Sequence, residues 1–231
     1  MDNLIEKGKK YFEKKEYGEA YECFIKALTR DPTSESAIEY LVKLIKIESD
    51  TICSINDVGD ELVNTGKTQK ALDMYKIFLK KSPVKDGFLK EIGDCYYNLE
   101  NYVKAIESFK KALKYNPDHQ PAMVMGWSSL LALKKYKEAK KWYKKYQEGL
   151  RMADCYPRHL YEAIMEEKNA VNIFQELIKD DNKNPELWYY AGLLYKNKKN
   201  YKEAVKHLNK AYKLNSKEYD FVKKIIDDIQ K

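Results

Sequence analysis

The sequence predicts an all-α solenoid of antiparallel helix hairpins, and three observations predict it. First, alanine recurs at a fixed interval: Ala71, Ala105 and Ala139 stand 34 residues apart, and Ala204 stands 34 after Ala170. Second, Gly8, Gly59, Gly93 and Gly192 each lie 12 residues before an alanine, namely Ala20, Ala71, Ala105 and Ala204. Third, the segments around these positions carry apolar residues at spacings of three and four, with no strand-like alternation. A fixed period of this length marks a stack of identical supersecondary units, each burying its apolar face against the next.

The third unit, 86–119, shows the logic of one hairpin. Leu89, Ile92, Gly93 and Tyr96 share a face of its first helix, and Ala105, Ile106, Phe109, Ala112 and Leu113 share one of its second. The link Leu99-Glu100-Asn101-Tyr102 is too short for anything but an antiparallel turn, and Asn116-Pro117 closes the pair. Units at 1–33, 52–85 and 185–216 repeat this plan. Three irregularities are expected to shape the rest. Ala20 to Ala71 is 51 residues, one and a half periods, so 34–51 should hold one inserted helix, capped by Thr33 or Ser34. That odd helix should kink the stack or lie across one face. Unit 120–150 places Trp127 where the small residue belongs, with Gly126 beside it. Unit 151–184 is shortened, because Ala139 to Ala170 is only 31 residues. A loop is expected near Gly149 to Cys155, then a short helix with Pro157 in its first turn. The segment 217–231, with Val222, Ile225, Ile226 and Ile229 on one side, reads as a capping helix.

These residues resemble the tetratricopeptide repeat pattern: a small residue and a tyrosine in the first helix, then alanine, an aromatic, alanine and a closing proline in the second. Gly8, Tyr11, Ala20, Phe24, Ala27 and Pro32 match it, as do Gly93, Tyr96, Ala105, Phe109, Ala112 and Pro117. Gly59, Leu62, Ala71, Tyr75, Phe78 and Pro83 follow it with Phe78 for the second alanine. Gly192, Tyr195, Ala204, Leu208 and Ala211 follow it with Ser216 for the proline. The resemblance implies a right-handed superhelix of about six units with a concave groove, and a non-enzymatic protein-interaction scaffold.

Composition narrows the class of function. Charged residues are 34% of the chain, the mean hydropathy is −0.72, and no run of about 18 apolar residues exists. The charged start MDNLIEKGKK lacks an apolar signal segment, so a cytoplasmic protein is expected. Net charge is +7 and the isoelectric point about 8.9, from lysines spread along the chain. That favours solubility and does not by itself mark a nucleic-acid or membrane surface. Cys23, Cys53, Cys95 and Cys155 are widely spaced and read as small core residues rather than a disulfide framework.

No constellation points to catalysis, a metal or a cofactor. Gly66-Lys67-Thr68 mimics the end of a phosphate-binding loop, but Glu61 stands where its first glycine is required and the preceding segment is helical. It reads as an interhelical turn, Gly66 ending one helix and Thr68 capping the next. Asp154, Cys155 and His159 are the only acid, thiol and imidazole close together, and Pro157 interrupts their helical spacing.

The face each first helix turns to the groove is more informative. It comprises Ile5, Lys9 and Phe12, then Asn56, Asp57, Asp60 and Asn64, then Lys90, Glu91, Asp94, Tyr97 and Asn98. Further along it becomes Val124, Met125, Ser128 and Leu131, then Tyr156 and His159, then Tyr189, Tyr190 and Leu193. An acidic centre beside aromatic and methionine side chains suits a peptide or partner segment that carries basic and apolar residues. The candidate groove residues are therefore Asn56, Asp57, Asp60, Lys90, Glu91, Asp94, Tyr97, Met125, Tyr189 and Tyr190. Some members of the family clamp chaperone acidic tails with basic groove residues. Here those positions are Asn56, Asp60, Glu91, Pro121 and Met125, or Lys90, Asp94, Met125, Met152 and Tyr156 in the units after the insertion. Only Lys90 fits, so such tails would meet like charge. The alternative is RNA or single-stranded nucleic acid held by the run Lys134 to Lys145, with Tyr136, Trp142, Tyr143 and Tyr146 interleaved among or beside the lysines. Read as a second helix of a hairpin, that run instead turns its aromatics inward and its lysines to water.

Overall fold

The computed structural model describes residues 2–47, 51–153 and 157–230. These residues form α1 (Asp2–Glu13), α2 (Tyr17–Arg30), α3 (Glu35–Ile45), α4 (Thr51–Asn64), α5 (Thr68–Lys81), α6 (Asp86–Asn98), α7 (Tyr102–Tyr115), α8 (Gln120–Ala132), α9 (Tyr136–Lys145), α10 (Gln147–Met152), α11 (Pro157–Met165), α12 (Ala170–Asp180), α13 (Pro185–Asn197), α14 (Tyr201–Leu214) and α15 (Val222–Gln230). No strand occurs among the described residues. The helices group into two compact units, Met1–Ser129 and Leu130–Lys231, with the division inside α8.

The recurring glycine is a steric requirement. A Cβ placed on Gly93 would sit 2.4 Å from the ring of Phe109, and one on Gly59 would sit 1.8 Å from the Tyr75 hydroxyl. Gly8 faces Phe24 and Gly192 faces Leu208 in the same way, at 2.8 Å. Phe24, Tyr75, Phe109 and Leu208 are all buried, and each follows the periodic alanine by four residues. The first helix thus gives up its side chain so that the second can drive a large one into the seam between them.

The turns between paired helices share one geometry. Lys15, Gly66, Glu100, Lys134 and Lys199 all adopt φ between 56° and 75°. At the third unit the Asn101 amide donates to the Tyr96 carbonyl at 2.8 Å and the Glu100 amide to that of Tyr97 at 2.9 Å. That pair of bonds satisfies carbonyls the ending helix leaves unpaired. Gly66 alone among the five takes this left-handed conformation without a Cβ penalty. Asn101 and Asn200 then cap the next helices, accepting from the Lys104 and Glu203 amides at 3.3 Å. In the same register Lys67, not Thr68, is the N-cap of α5, and it makes no side-chain capping bond. Thr68 becomes the first helical residue because the left-handed turn at Gly66 uses only one further residue before the helix begins.

The inserted helix is built into the core of the first unit. Six of the 11 residues of α3 are buried, among them Ile38 and Leu41 at 0% exposure. It packs on α2 and α5. Tyr40 stacks on Phe24 with ring centroids 4.9 Å apart and meets Phe12 edge-on at 5.3 Å. Ile5 and Phe12, expected on an open groove, are packed into that same core. Ser34 occupies the N-cap position without a side-chain bond, since Thr33 turns back to Asp31 Oδ1 at 2.8 Å instead of capping α3.

The second unit departs further from the regular plan. Where a loop was expected from Gly149, α10 is a six-residue helix. Leu150 is fully buried and holds that short turn against the unit, while Arg151 and Met152 stay exposed. Pro157 opens α11 as its missing amide donor allows. Tyr161 packs between Phe174 and Tyr190, at 6.3 and 5.3 Å. The last helix begins at Val222, and Val222 and Ile226 close over Leu208 and Ala211.

The close approach is testable. Gly93→Ala is expected to destabilise the protein by about 1–3 kcal/mol through overpacking against Phe109. Gly18→Ala, whose Cβ meets nothing within 4 Å, should be neutral or stabilising. Urea unfolding followed by circular dichroism distinguishes the two midpoints.

Candidate functional site

Of the candidate groove residues, Asn56, Asp57 and Asp60 lie on α4 and Lys90, Glu91, Asp94 and Tyr97 on α6, and these two helices pack beside each other in the first unit. Register follows from the helical period: Lys90, Asp94 and Tyr97 lie on one side of α6, with Glu91 one step round. Lys90 Nζ donates to Asp94 Oδ2 at 2.8 Å and to Glu91 Oε1 at 3.2 Å. The side chains of Lys90, Glu91 and Asp94 are 23%, 12% and 24% exposed. Burial raises both carboxyls above their ordinary range, with Lys90 pulling the other way. Burial also works against the Lys90 ammonium, but Asp94 and Glu91 outweigh it and hold it above the usual lysine range.

Among the described residues, two oxygens on this face have no protein partner. Asp94 Oδ1 and Asn56 Oδ1 are buried acceptors that receive no hydrogen bond. Asp60 is exposed on α4 and adds its charge to the field at Glu91 and Asp94. Asp57 is exposed as well. His119, just before α8, lies close enough to favour the ionised form of Asp94. Beneath them are Tyr75, whose hydroxyl reaches the Asn56 carbonyl at 3.5 Å, and Cys95, whose thiol is pushed up to about 12 by burial and then by Asp94. Sequence reasoning missed His119 and Tyr75 as neighbours of this face because they come from other elements, and Cys95 because it sits on the buried side of α6.

The remaining candidates are placed elsewhere. Tyr97 turns to the hairpin link and meets Tyr102 edge-on at 5.1 Å. Met125 is half-buried on α8, where its carbonyl accepts from Ser129 Oγ at 2.7 Å. Tyr189 and Tyr190 belong to the second unit. Tyr189 is edge-on to Tyr219 at 5.7 Å and to Phe221 at 5.5 Å, so the segment before α15 packs against it. Asp154, Cys155 and Tyr156 lie outside the described residues. Among the described residues no group of three or more His, Cys, Asp or Glu is arranged to hold a metal ion, and no helix is long and apolar enough to cross a membrane.

The lysine-rich run 134–145 is largely matched by carboxylates within the second unit. Lys134 and the Tyr136 hydroxyl both reach Glu167, at 3.0 and 2.7 Å. Lys137 pairs with Glu176 at 3.1 Å, and Lys140 with Asp181 at 2.9 Å. Tyr136 and Trp142 are buried. The aromatics thus face inward, and four of the lysines, counting Lys135 paired with Glu138, already have partners.

The second unit also holds a cavity of about 490 Å³ that no spacing in the sequence foreshadowed. Tyr143, Arg151, Asn184, Glu186, Glu218 and Tyr219 contribute to its wall.

Comparison with known proteins agrees with the steric pattern. The tetratricopeptide repeat model matches residues 2–34, 88–119 and 185–218. The cell division cycle protein 27 homolog A of Arabidopsis thaliana is 27% identical over 182 residues, covering 79% of this chain and 20% of that protein. Tetratricopeptide repeat protein 21A of Mus musculus is 27% identical over 140 residues, covering 53% and 11%. The chain therefore spans about a fifth or less of the curated relatives it matches. Among solved structures, YrrB, a TPR protein with an unusual peptide-binding site, has a TM-score of 0.45 at 20% identity, covering 77% of this chain and 93% of that one. The three matched stretches begin with, end with or contain the hairpins in which Gly8, Gly93 and Gly192 receive a large side chain, and this chain belongs to the tetratricopeptide repeat family.

Proposed function

We propose that this protein is a non-enzymatic binding module, and that the face of α4 and α6 holds a partner segment in which basic residues flank aliphatic ones. The observation that carries this reading is the pair of buried, unpartnered acceptors, Asp94 Oδ1 and Asn56 Oδ1. A buried acceptor without a donor costs about 1–3 kcal/mol, and a lysine or arginine side chain of a ligand would recover it. Asp60, Glu91 and Asp94 outnumber Lys90 on this face, so a cation is drawn to it and an anion is not. Lys90, the one residue that fits an acidic-tail clamp, is already held by two carboxylates. Chaperone tails are accordingly disfavoured. The ion pairs along α9 likewise leave the lysine run a poor phosphate surface.

A peptide with lysine or arginine around aliphatic residues should bind the full chain, and Asp60→Lys with Asp94→Lys should weaken it at least about tenfold. Asp94→Asn, which perturbs folding less, should weaken it in the same direction. Calorimetry that finds equal affinity in these variants removes the site.

Acidity provides an independent check. Glu91 and Asp94 titrate above their ordinary range, so their ionised forms are the costly ones in the folded state. Stability of the first unit should rise as the pH falls through those raised values, while affinity for the cationic peptide falls over the same window, which lies above the ordinary carboxylate range of about pH 4. Parallel calorimetry and thermal unfolding across this range measure both.

A further inference from the structure

We infer that the cavity of the second unit is a socket for an arginine side chain of a partner protein, separate from the face of α4 and α6. At about 490 Å³ it falls in the size range of pockets that take ligands. Glu186 and Glu218 stand on its wall against the single charge of Arg151, which leaves an excess of negative charge. Among the described residues, no donor hydrogen-bonds to the Glu186 carboxylate, which is half-buried at the first turn of α13. Glu218 accepts from Asn215 Nδ2 at 2.8 Å and retains a second oxygen.

A second observation points the same way. Tyr143, also on the wall, has a buried hydroxyl with no hydrogen-bond partner among the described residues. Asn184, also on the wall, is by contrast partnered on both sides: its amide donates to the Tyr161 hydroxyl at 3.3 Å and its carbonyl accepts from the Glu186 amide at 2.9 Å. The wall therefore offers a free carboxylate and a partly free one as acceptors, with the rings of Tyr143 and Tyr219 beside them and the unpartnered Tyr143 hydroxyl behind. A guanidinium fits that set better than an ammonium. It carries five donors in a planar fork, pairs with a carboxylate through two bonds, and stacks on tyrosine. Neutral side chains can donate to the carboxylates but leave their charge uncompensated, and anionic ones are repelled.

The test is an NMR titration of the full chain with N-acetyl-arginine amide, with N-acetyl-citrulline amide as the uncharged analogue of the same shape. Saturable shifts at residues of the cavity wall are expected with arginine, and binding at least about tenfold weaker with citrulline. Glu186→Gln should weaken arginine binding by a similar factor while circular dichroism and urea unfolding stay unchanged. Asp94→Asn, in the first unit, should leave it unaffected. Equal shifts with the two amides, no saturable shift at the wall, or an unchanged affinity in Glu186→Gln overturns the inference. So does arginine binding that Asp94→Asn abolishes, which would place the cation on α4 and α6 instead.

Discussion

The structure rests on one steric constraint: a first helix that has no side chain where the second helix has a large one. At Gly59 and Gly93 the space a Cβ would fill is already taken by Tyr75 and Phe109. The periodic alanine one turn earlier on the second helix, buried at 0% exposure in Ala71 and Ala105, keeps the axes close along the rest of the seam. Everything else in a unit follows from that proximity. Two helices this close need a short link, and a short link needs the left-handed residue found at Gly66 and Glu100.

That constraint also decides which side chains are left to recognise a partner. With Gly93 committed to Phe109, Lys90 and Asp94 occupy the adjoining flank of α6, and Glu91, 12% exposed, stands further round. Charges are placed there at a cost, visible in the raised carboxyls of Glu91 and Asp94 and in an Asp94 oxygen with no donor. A face that keeps ionised groups partly buried and partly unsatisfied is poised to gain from a ligand that supplies donors.

The regular part of the fold was legible because the constraint acts at fixed offsets. Gly93, Ala105 and Phe109 meet at spacings set by helix geometry alone, and the same spacings return at Gly8 and Gly192. The Lys90 to Asp94 pair was legible for the same reason, being one turn apart on one helix. What escaped depends on contacts between segments remote in sequence. The existence of α3 could be read from its apolar period, but its role could not, since Tyr40 stacking on Phe24 has no signature in spacing. A loop was expected near Gly149 to Cys155 because the interval from Ala139 to Ala170 is three residues short of the period and Pro157 falls within it. The burial of Leu150, a tertiary effect, won instead. The contacts of Tyr189 with Tyr219 and Phe221 likewise join segments that no sequence spacing relates. The cavity was out of reach altogether, because its wall is assembled from α9, α10, the start of α13 and the segment before α15.

The central claim is that recognition happens on α4 and α6 rather than on the lysine-lined α9. Paramagnetic relaxation from a spin label on a peptide of lysine or arginine flanking aliphatic residues tests it most directly. Amides within Thr51–Asn64 and Asp86–Asn98 should broaden on binding. Broadening confined to Tyr136–Lys145, or spread evenly over the chain, would contradict the account.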